Sequence, residues 1–543
     1  MRRRLALLAS GALAACGAES GSAPAAIRFS EVGAEAGLVF VTTSGRTPST
    51  QIVEVKGGGV ALIDGDEDGD LDVFVPNGAT MDAPRAGPGC RYFANEGAPG
   101  SLRFRDATTE AGLTFRGWGI GVAVGDANGD GHDDLYVTSF GPNALLIGDG
   151  RGKFTDASAS SGATAGEVWS AAAAFGDLDR DGDLELYVAN YLTFDLAHPP
   201  PPSSFKNAPV FTGPIPLPPE PDHLFENLGD GRFRDISGRS GIRAVAPAYG
   251  LGTVILDFDQ DGAQDIYVGN DSTPNFLWVN RGALAFEERG AHGGLAYNGD
   301  GMAQSTMGIA IGDVDGSGRP SVFTTNFSND TNTLHVNRGG GLFDDQTRRY
   351  GLGMVSFPYV GWATAFADLD HDGDEDLLAF NGHVYPNATL AAMDAGYAEP
   401  ALLFVREGER FVHVTDPSPC FAAPHVDRGA AFGDLDRDGD LDLVVSELNG
   451  PLRLLRNDAN SANALVVALE PTVLGTRLEL TAAGRTQTRW VHSGGSFVSA
   501  SAQEAHFAFP TGARSADLTI HWPDGTRRVL PAVVPGQRLV VRH

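Results

Sequence analysis

The sequence predicts an all-β protein built from one repeated unit, and two observations carry this prediction. An acidic motif with the pattern D-x-D-x-D-G-x-x-D, degenerate in some copies, occurs seven times, each copy between two short apolar runs. The chain also has 71 glycines in 543 residues, which is typical of strands joined by tight turns. The copies, called acidic loops one to seven, are DGDEDGDLD, DANGDGHDD, DLDRDGDLE, DFDQDGAQD, DVDGSGRPS, DLDHDGDED and DLDRDGDLD, starting at residues 64, 126, 177, 257, 313, 368 and 434.

Each acidic loop is predicted to join two strands of a β-hairpin. The run before it holds mostly small residues, as in GVAVGD, and the run after it is rich in Val, Leu, Tyr and Phe, as in DLYV, which suits buried strands. A third strand separates the hairpin from a short F-x-(D/E) strand. The F-x-(D/E) strands begin at Phe29, Phe104, Phe154, Phe233, Phe286, Phe343 and, weakly, Phe411.

The repeat period predicts a seven-bladed β-propeller over residues 27–458. Successive acidic loops start 51 to 80 residues apart, a period typical of four-stranded propeller blades. The strand around Phe29 precedes the first acidic loop, whereas the last unit ends near Asn457. We therefore expect the N-terminal strand to complete the seventh blade and close the ring.

The acidic loops are predicted to bind calcium. Carboxylates at positions 1, 3, 5 and 9 form an oxygen cage for a hard cation, and the varied residues at position 7 suit a backbone carbonyl ligand. An EF-hand is excluded because position 12 holds Val75 or another neutral residue and not the bidentate Glu. For any single copy, an acidic turn that only caps a hairpin is the alternative. The predicted ligand positions are Asp64, Asp66, Asp68, Asp70, Asp72, Asp126, Asn128, Asp130, His132, Asp134, Asp177, Asp179, Asp181, Asp183, Glu185, Asp257, Asp259, Asp261, Ala263, Asp265, Asp313, Asp315, Ser317, Asp368, Asp370, Asp372, Asp374, Asp376, Asp434, Asp436, Asp438, Asp440 and Asp442.

Loop five is expected to be the weakest of these sites. Ser317 and Ser321 replace two of its carboxylates, and fewer ligand charges weaken calcium binding. We expect about six to seven calcium ions, whose main role is to stabilise the fold, because the carboxylates of one loop repel each other without a cation.

The net charge and a search for catalytic motifs argue against several classes of function. The formal net charge of −30 argues against nucleic-acid binding, which needs a basic surface. The sequence contains no H-E-x-x-H helix and no G-x-S-x-G elbow, and its 13 histidines are scattered. We therefore find no recognisable catalytic motif.

The N-terminus predicts export and lipid anchoring. Residues 1–15 combine three arginines with a short apolar run, as in a signal peptide, and LAAC ending at Cys16 resembles a bacterial lipobox. We expect Cys16 to be lipidated and residues 16–26 to form a tether, at the outer membrane, the cell surface or the periplasm. A plain signal peptide is the alternative.

One face of the propeller, opposite the acidic loops, is predicted to bind a ligand. Aromatic residues stand eight positions before three successive acidic loops, and polar residues follow several second strands. The proline-rich segment Thr193–Asp222 lies on the same face and is stiff enough to cover the central opening. Rings packed between blades are the alternative. The face comprises Trp118, Trp169, Tyr249, Asp271, Asn326, Asn381 and His383.

Two cysteines remain after Cys16. Cys90 and Cys420 are predicted to lie on one face of neighbouring blades if the ring closes, and an exported protein permits a disulfide between them. Two buried free thiols are the alternative.

The acidic loops resemble the FG-GAP and VCBS repeats of integrin α-chain propellers and many secreted bacterial proteins. STPNFLWVN, YNGDGMAQSTMGIAIGD and NGHVYP are similar to the cartilage-acidic-protein family, and HSGGSFVSAS and HWPDGTRRVL resemble an ASPIC/UnbV domain. This resemblance implies a small β-rich domain over residues 459–543. PTVLGTR replaces the longer turn that is usual in that domain.

Together these features predict a binding or adhesion module, monomeric, with an unknown protein or glycan ligand and a membrane contact through the lipid alone. A secreted polysaccharide lyase or hydrolase is the first alternative, because a propeller can assemble catalytic acids from distant residues. An architectural envelope protein is the second.

Overall fold

The computed structural model describes residues 27–389, 395–459, 462–510 and 512–543. The predicted signal peptide, Cys16 and the tether lie outside these ranges. Within them, no helix combines the length and the apolar character that crossing a bilayer requires.

The repeated units form seven antiparallel sheets, which confirms the all-β prediction. In each sheet the acidic loop joins the first two strands, and the strands of the first sheet are in register at Ala61↔Phe74. Sheet four gains a fifth strand, Ser493–Gly494. The seven sheets comprise Ala61–Ile63, Asp72–Val75, Arg91–Asn95 and Phe104–Asp106; Trp118–Gly125, Asp134–Phe140, Ala144–Gly148 and Phe154–Asp156; Ser170–Gly176, Glu185–Asn190, His223–Asn227 and Phe233–Asp235; Gly250–Leu256, Asp265–Asn270, Phe276–Asn280 and Phe286–Glu288; Ile309–Gly312, Ser321–Thr324, Thr333–Gly339 and Leu342–Asp345; Gly361–Ala367, Asp376–Asn381, Leu402–Glu407 and Arg410–His413; and Asp427–Gly433, Asp442–Glu447, Leu452–Asn457 and Phe29–Glu31.

The seventh sheet is completed by the N-terminal strand, as predicted. Phe29 pairs with Asn457 and Glu31 with Leu455 in an antiparallel ladder. The first strand of each sheet contacts the first strand of the next, and the first strand of sheet seven contacts that of sheet one. The seven sheets therefore follow one another in cyclic order.

Helices are short and lie in the connections between strands. The α-helices are Ser158–Ser161, Gly290–Gly293 and Pro419–Ala422, and the 3₁₀ helices are Ile52–Val55 and Pro386–Thr389.

The C-terminal residues form two further sheets. Leu465, Leu478, Phe507 and Ile520 are buried in an apolar cluster that continues into sheets two and three, where it includes Phe175. The strands are Ala464–Glu470, Glu504–Ala508 and Gln537–Arg542 in one sheet, and Arg477–Ala482, Arg485–Trp490, Ala516–His521 and Arg527–Val533 in the other.

Residues 492–503 of the C-terminal domain, called the central segment, enter the space enclosed by the seven first strands. Ser496 exchanges two backbone hydrogen bonds with Ile309 of sheet five, and Ala500 donates to Val60 of sheet one. Phe497 lies 4.7 Å from the Trp362 ring of sheet six. Further bonds reach sheets two, three, four and seven, so the segment contacts every sheet.

Glycines of the first strands make room for this segment. A Cβ at Gly59 would lie 2.3 Å from the Val498 carbonyl oxygen, and one at Gly121 would lie 2.8 Å from the Val498 Cβ. The close approach of the central segment therefore explains glycine at these two positions, whereas a Cβ at Gly176 would instead lie 2.6 Å from Ile255 of the next sheet.

Candidate metal centres and binding faces

Each acidic loop folds by bonds within its own motif. In loop one, the Asp64 carboxylate accepts the backbone N–H groups of Asp68 and Gly69, both at 3.1 Å. Gly69 has a φ of +91°, a left-handed conformation that glycine adopts without strain. The aspartate at position 1 and the glycine at position 6 thus shape the loop before any ion binds.

Five acidic loops bring three carboxylates together. In each, one oxygen from every member lies within 4.8 Å of the others. Among the described residues, several of these buried oxygens have no hydrogen-bond partner, including Oδ1 of Asp66, Asp179, Asp257 and Asp434. Converging, unpartnered carboxylate oxygens fit a hard divalent cation such as calcium. The sets are Asp64, Asp66 and Asp68; Asp177, Asp179 and Glu185; Asp257, Asp259 and Asp265; Asp368, Asp370 and Asp372; and Asp434, Asp436 and Asp438.

The electrostatics of these loops also favour a cation. Burial, together with neighbouring carboxylates, raises the pKa of Asp64 to about 6, of Asp434 to about 7 and of Asp72 to about 8. Such shifts mean that the ionised forms are destabilised when no positive charge lies between them. A bound divalent ion would reverse this penalty.

Loops two and five show no such convergence of three acidic groups among the described residues. Loop two has Asn128 at position 3, whose amide oxygen can still serve as a ligand. In loop five, Arg319 and Arg338 lie 3.8 and 3.9 Å from the Asp315 carboxylate. Arginines therefore supply part of the positive charge that an ion supplies elsewhere, in line with the expectation that the site at Asp313 is the poorest.

The carboxylate at position 9 has a structural role that the sequence analysis missed. Asp72 accepts the backbone N–H of Gly65 at 3.2 Å and of Asn95, at the end of the third strand, at 2.8 Å. These bonds lock the loop to the third strand. The available signal was the asparagine that ends several third strands, as in YFAN and LHVN. Equivalent pairs of backbone donors reach Asp134, Glu185, Asp265, Asp376 and Asp442.

Side chains at position 7 connect neighbouring loops. His371, at position 4 of loop six, lies 2.9 Å from Asp440 at position 7 of loop seven. Arg437 of loop seven reaches Asp70 of loop one at 3.4 Å in the same way. Whether the position-7 carbonyls bind an ion stays a prediction, but the position-7 side chains Asp440 and Asp70 join loops six, seven and one through ion pairs.

The C-terminal domain rests on the acidic loops. His506 Nε2 lies 2.6 Å from the Gly439 carbonyl oxygen of loop seven. Arg485 donates to the Gly373 carbonyl of loop six and pairs with the Asp374 carboxylate. The face that carries the candidate metal sites is thus also the docking surface for the second domain.

All residues predicted for the ligand face are buried. Trp118 and Trp169 pack edge-to-face on Phe140, with ring centroids 6.1 and 5.7 Å away, in agreement with the alternative that the rings lie inside. Asp271 forms a buried ion pair with Lys56 at 3.1 Å. The remaining members, also buried, are Tyr249, Asn326, Asn381 and His383.

A hairpin from the proline-rich segment covers this end of the sheet array, as predicted for Thr193–Asp222. Its strands are Ser203–Phe205 and Ala208–Val210. Phe205 lies 5.8 Å from the Phe327 ring of sheet five and 5.6 Å from the Tyr385 ring of sheet six. The segment therefore crosses from sheet three to the other side of the array.

The predicted disulfide between Cys90 and Cys420 is wrong. Both residues are buried free thiols. Cys90 packs in the core between sheets one and two, whereas Cys420 lies in a short helix and its thiol donates to the Phe29 carbonyl at 3.7 Å. Each thiol faces its own apolar surroundings, and burial raises both pKa values, to about 12 and about 11.

Comparisons with known proteins agree with this architecture. The family described as ASPIC and UnbV matches residues 468–543, and the FG-GAP-like repeat family matches residues 126–188, 257–324 and 313–379. The chain is 23% identical over 496 residues to Cartilage acidic protein 1 of Xenopus tropicalis, covering 86% of this chain and 70% of that protein. The human protein of the same name is 22% identical over 495 residues, covering 86% and 69%.

A solved structure of another protein is similar to this chain at a low score. The structure of an Agrocybe aegerita lectin, described as recognising non-reducing terminal N-acetylglucosamine, aligns with a TM-score of 0.38 and 14% identity, covering 68% of this chain and 90% of that chain. The two family matches show that the chain combines FG-GAP-like repeats with a C-terminal ASPIC and UnbV domain. Together with the Cartilage acidic protein 1 relatives, they confirm its predicted resemblance to the cartilage-acidic-protein family.

Proposed function

We propose that this chain is a closed, seven-bladed, calcium-stabilised propeller that acts outside the cytoplasm as a binding module. The cyclic order of the seven sheets and the N-terminal strand in sheet seven support closure. The observation that carries the binding function is that acidic side chains have structural roles in the acidic loops. Many of the acidic side chains of this chain converge in the loops or pair between them.

Calcium in this proposal is structural. Asp64, Asp66 and Asp68 would hold one ion, and the equivalent groups of the other four converging loops would hold four more. When bound, the ion supplies the positive charge that lets buried carboxylates stay ionised, and its binding free energy adds to the stability of the fold.

Export and anchoring through a lipid on Cys16 are further parts of the proposal. Their support is the apolar run and the LAAC motif at the N-terminus. We also propose that the protein is a monomer. Replacing Cys16 with Ser should move the protein from the membrane fraction to the soluble fraction of the periplasm or the medium.

A glycan and peptide array tests the binding function. The purified protein is applied in calcium and again in EDTA, and each captured ligand is followed over time. Calcium-dependent capture of a defined class supports the proposal. Loss of the captured ligand with time would favour the lyase or hydrolase alternative, and silence in both buffers would favour an architectural role.

A further inference from the structure

A polar groove lies between acidic loops five and six and the C-terminal domain. It encloses about 660 Å³, a volume typical of small-ligand sites. Residues of both domains line it, among them four arginines: Arg349, Arg406, Arg485 and Arg489.

The groove exists because loop five lacks a bridging side chain. Position 4 of loop six holds His371, which reaches Asp440 of the next loop. Position 4 of loop five holds Gly316, which cannot reach loop six, and Asp374 there pairs with Arg485 of the C-terminal domain. The space that a bridging side chain would fill is open and is lined by Gly316 and Gly373.

Arg406 is a second departure from the repeat at the same place. In five other sheets the equivalent position near the end of the third strand is asparagine, whose amide donates to a carbonyl of the preceding acidic loop; Asn280 donates to Leu178 at 2.7 Å. Arg406 does the same with Nη2, which donates to the Val314 carbonyl at 2.8 Å. Its backbone N–H also bonds to Asp376, as the asparagine N–H groups do with their own loops. The asparagines are Asn95, Asn227, Asn280, Asn337 and Asn457.

Arg406 is buried and forms no ion pair among the described residues: its exposed fraction is only 8%, and no carboxylate there lies within ion-pair distance of it. The guanidinium lies over the Tyr350 and Phe411 rings, Nε donates to the Gly408 carbonyl at 2.7 Å, and Nη1 has no hydrogen-bond partner among the described residues. A buried cation without an ion-pair partner is costly, which favours an anion in the groove.

Asp374 and Glu409 favour the charged form of Arg406 from beyond ion-pair distance. The acidic residues of the groove have nearer partners: Asp374 pairs with Arg485, Asp315 lies 3.8 Å from Arg319, and Asp313 accepts backbone N–H groups of its own loop. Glu375 lies 3.3 Å from Arg489, and Glu409 lies 3.5 Å from Arg349. On the C-terminal side, Oε1 of the buried Gln487 has no hydrogen-bond partner among the described residues and lines the groove. The groove is thus lined by Arg406, whose Nη1 is an unpartnered cationic donor, and by Gln487, whose Oε1 is an unpartnered neutral acceptor.

We propose that this groove binds an acidic oligosaccharide and that a carboxylate of the sugar bonds with the Arg406 guanidinium. A guanidinium forms strong, oriented hydrogen bonds with a carboxylate, and sugar hydroxyls can donate to Gln487 and bond with Thr486 and Thr488. A uronic acid carries both groups on one ring. This inference rests on the proposed binding function and gives it a ligand class.

The repeat itself supplies the variant that tests the site. Arg406→Asn installs the residue that five other sheets carry at this position, so the loop contact is retained and the cation is removed. Binding of trigalacturonate is measured by calorimetry at low salt and in calcium. We expect the wild-type protein to bind and R406N to bind about 10- to 100-fold more weakly, because a hydrogen-bonded charge pair is lost.

A matched control lies two residues from Tyr350. Arg348 is 88% exposed on its side chain, and it does not line the groove. Arg348→Asn should bind trigalacturonate as the wild type does. Neutral trigalactose should bind at least tenfold more weakly than trigalacturonate to the wild-type protein, a comparison that needs no variant.

The outcomes separate this inference from the proposed function. Equal affinity of R406N and the wild type, or equal affinity for the neutral sugar, would overturn the site. Tighter binding of triglutamate than of trigalacturonate would overturn the sugar class. If trigalacturonate fails to bind while the array captures another ligand, the groove assignment fails and the binding function stands; if both are silent, both fail.

Discussion

Removing calcium is expected to make the protein lose stability as the pH rises from 5 to 8. Asp72 shows the reason, because burial and the nearby Asp66 and Asp70 raise its pKa from an ordinary 3.8 to about 8. The folded, metal-free chain therefore keeps a proton that the unfolded chain releases near pH 4. Since the folded state binds more protons, its free energy of unfolding falls with rising pH between these two values.

The magnitude follows from the same linkage. One such carboxyl changes the free energy of unfolding by about 1.4 kcal/mol per pH unit, so Asp72 alone contributes about 4 kcal/mol between pH 5 and 8. Asp134 and Glu185, whose pKa values burial raises to about 8, act with the same sign. With calcium bound, the carboxylates are ionised in both states, and this pH dependence disappears.

The assay is thermal unfolding at pH 5 to 8, in excess calcium and after metal removal. We expect a flat calcium curve and a metal-free melting temperature that falls with rising pH. Asp72→Asn should reduce the metal-free slope by one proton, whereas Asp82→Asn, at a 91% exposed side chain, should leave it unchanged. Parallel curves with and without calcium across this range would refute the assignment of these carboxylates to metal sites.

Two further predictions concern the centre of the sheet array and the metal count. Phe497→Ala, which removes a fully buried ring packed on Trp362, should lower the free energy of unfolding in denaturant by about 3–5 kcal/mol; an unchanged midpoint would show that the central segment does not pack there. Calcium titration by calorimetry should give at most six ions. Asp436→Asn should remove one of them, and Asp315→Asn in loop five should remove none. Loss of an ion from Asp315→Asn would contradict the conclusion that arginines balance the Asp315 charge.

The hairpins and their partners were predictable because their signals are local. A strand, an acidic loop and a second strand lie within about twenty residues, so the register Ala61↔Phe74 follows from the motif. The pairing of Phe29 with Asn457 was predictable from counting, since one strand was missing at the C-terminal end of the repeat and one was spare at the N-terminal end.

The central segment was not predictable from local signals. HSGGSFVSAS has the glycines and serines of an ordinary loop, and its polar backbone is satisfied only by strands that lie far away in the sequence. The ligand face was misjudged for a related reason. Aromatic spacing places Trp118 and Trp169 at equivalent positions of two sheets, but their exposure depends on what covers them. Here Phe140 packs on both rings, and Phe194 of the proline-rich segment packs on Phe140.

In acidic loops six and seven, the residues of the candidate metal sites are next to the backbone atoms that contact the C-terminal domain. Gly373 and Gly439 occupy position 6 of loops six and seven, directly after the converging Asp372 and Asp438. Their carbonyl oxygens accept hydrogen bonds from Arg485 and His506 of the C-terminal domain. An ion that fixes the carboxylates therefore also fixes the carbonyls on which the second domain rests. Calcium in these two loops would thus stabilise the contact between the domains and, through it, the position of residues 492–503 at the centre of the seven sheets.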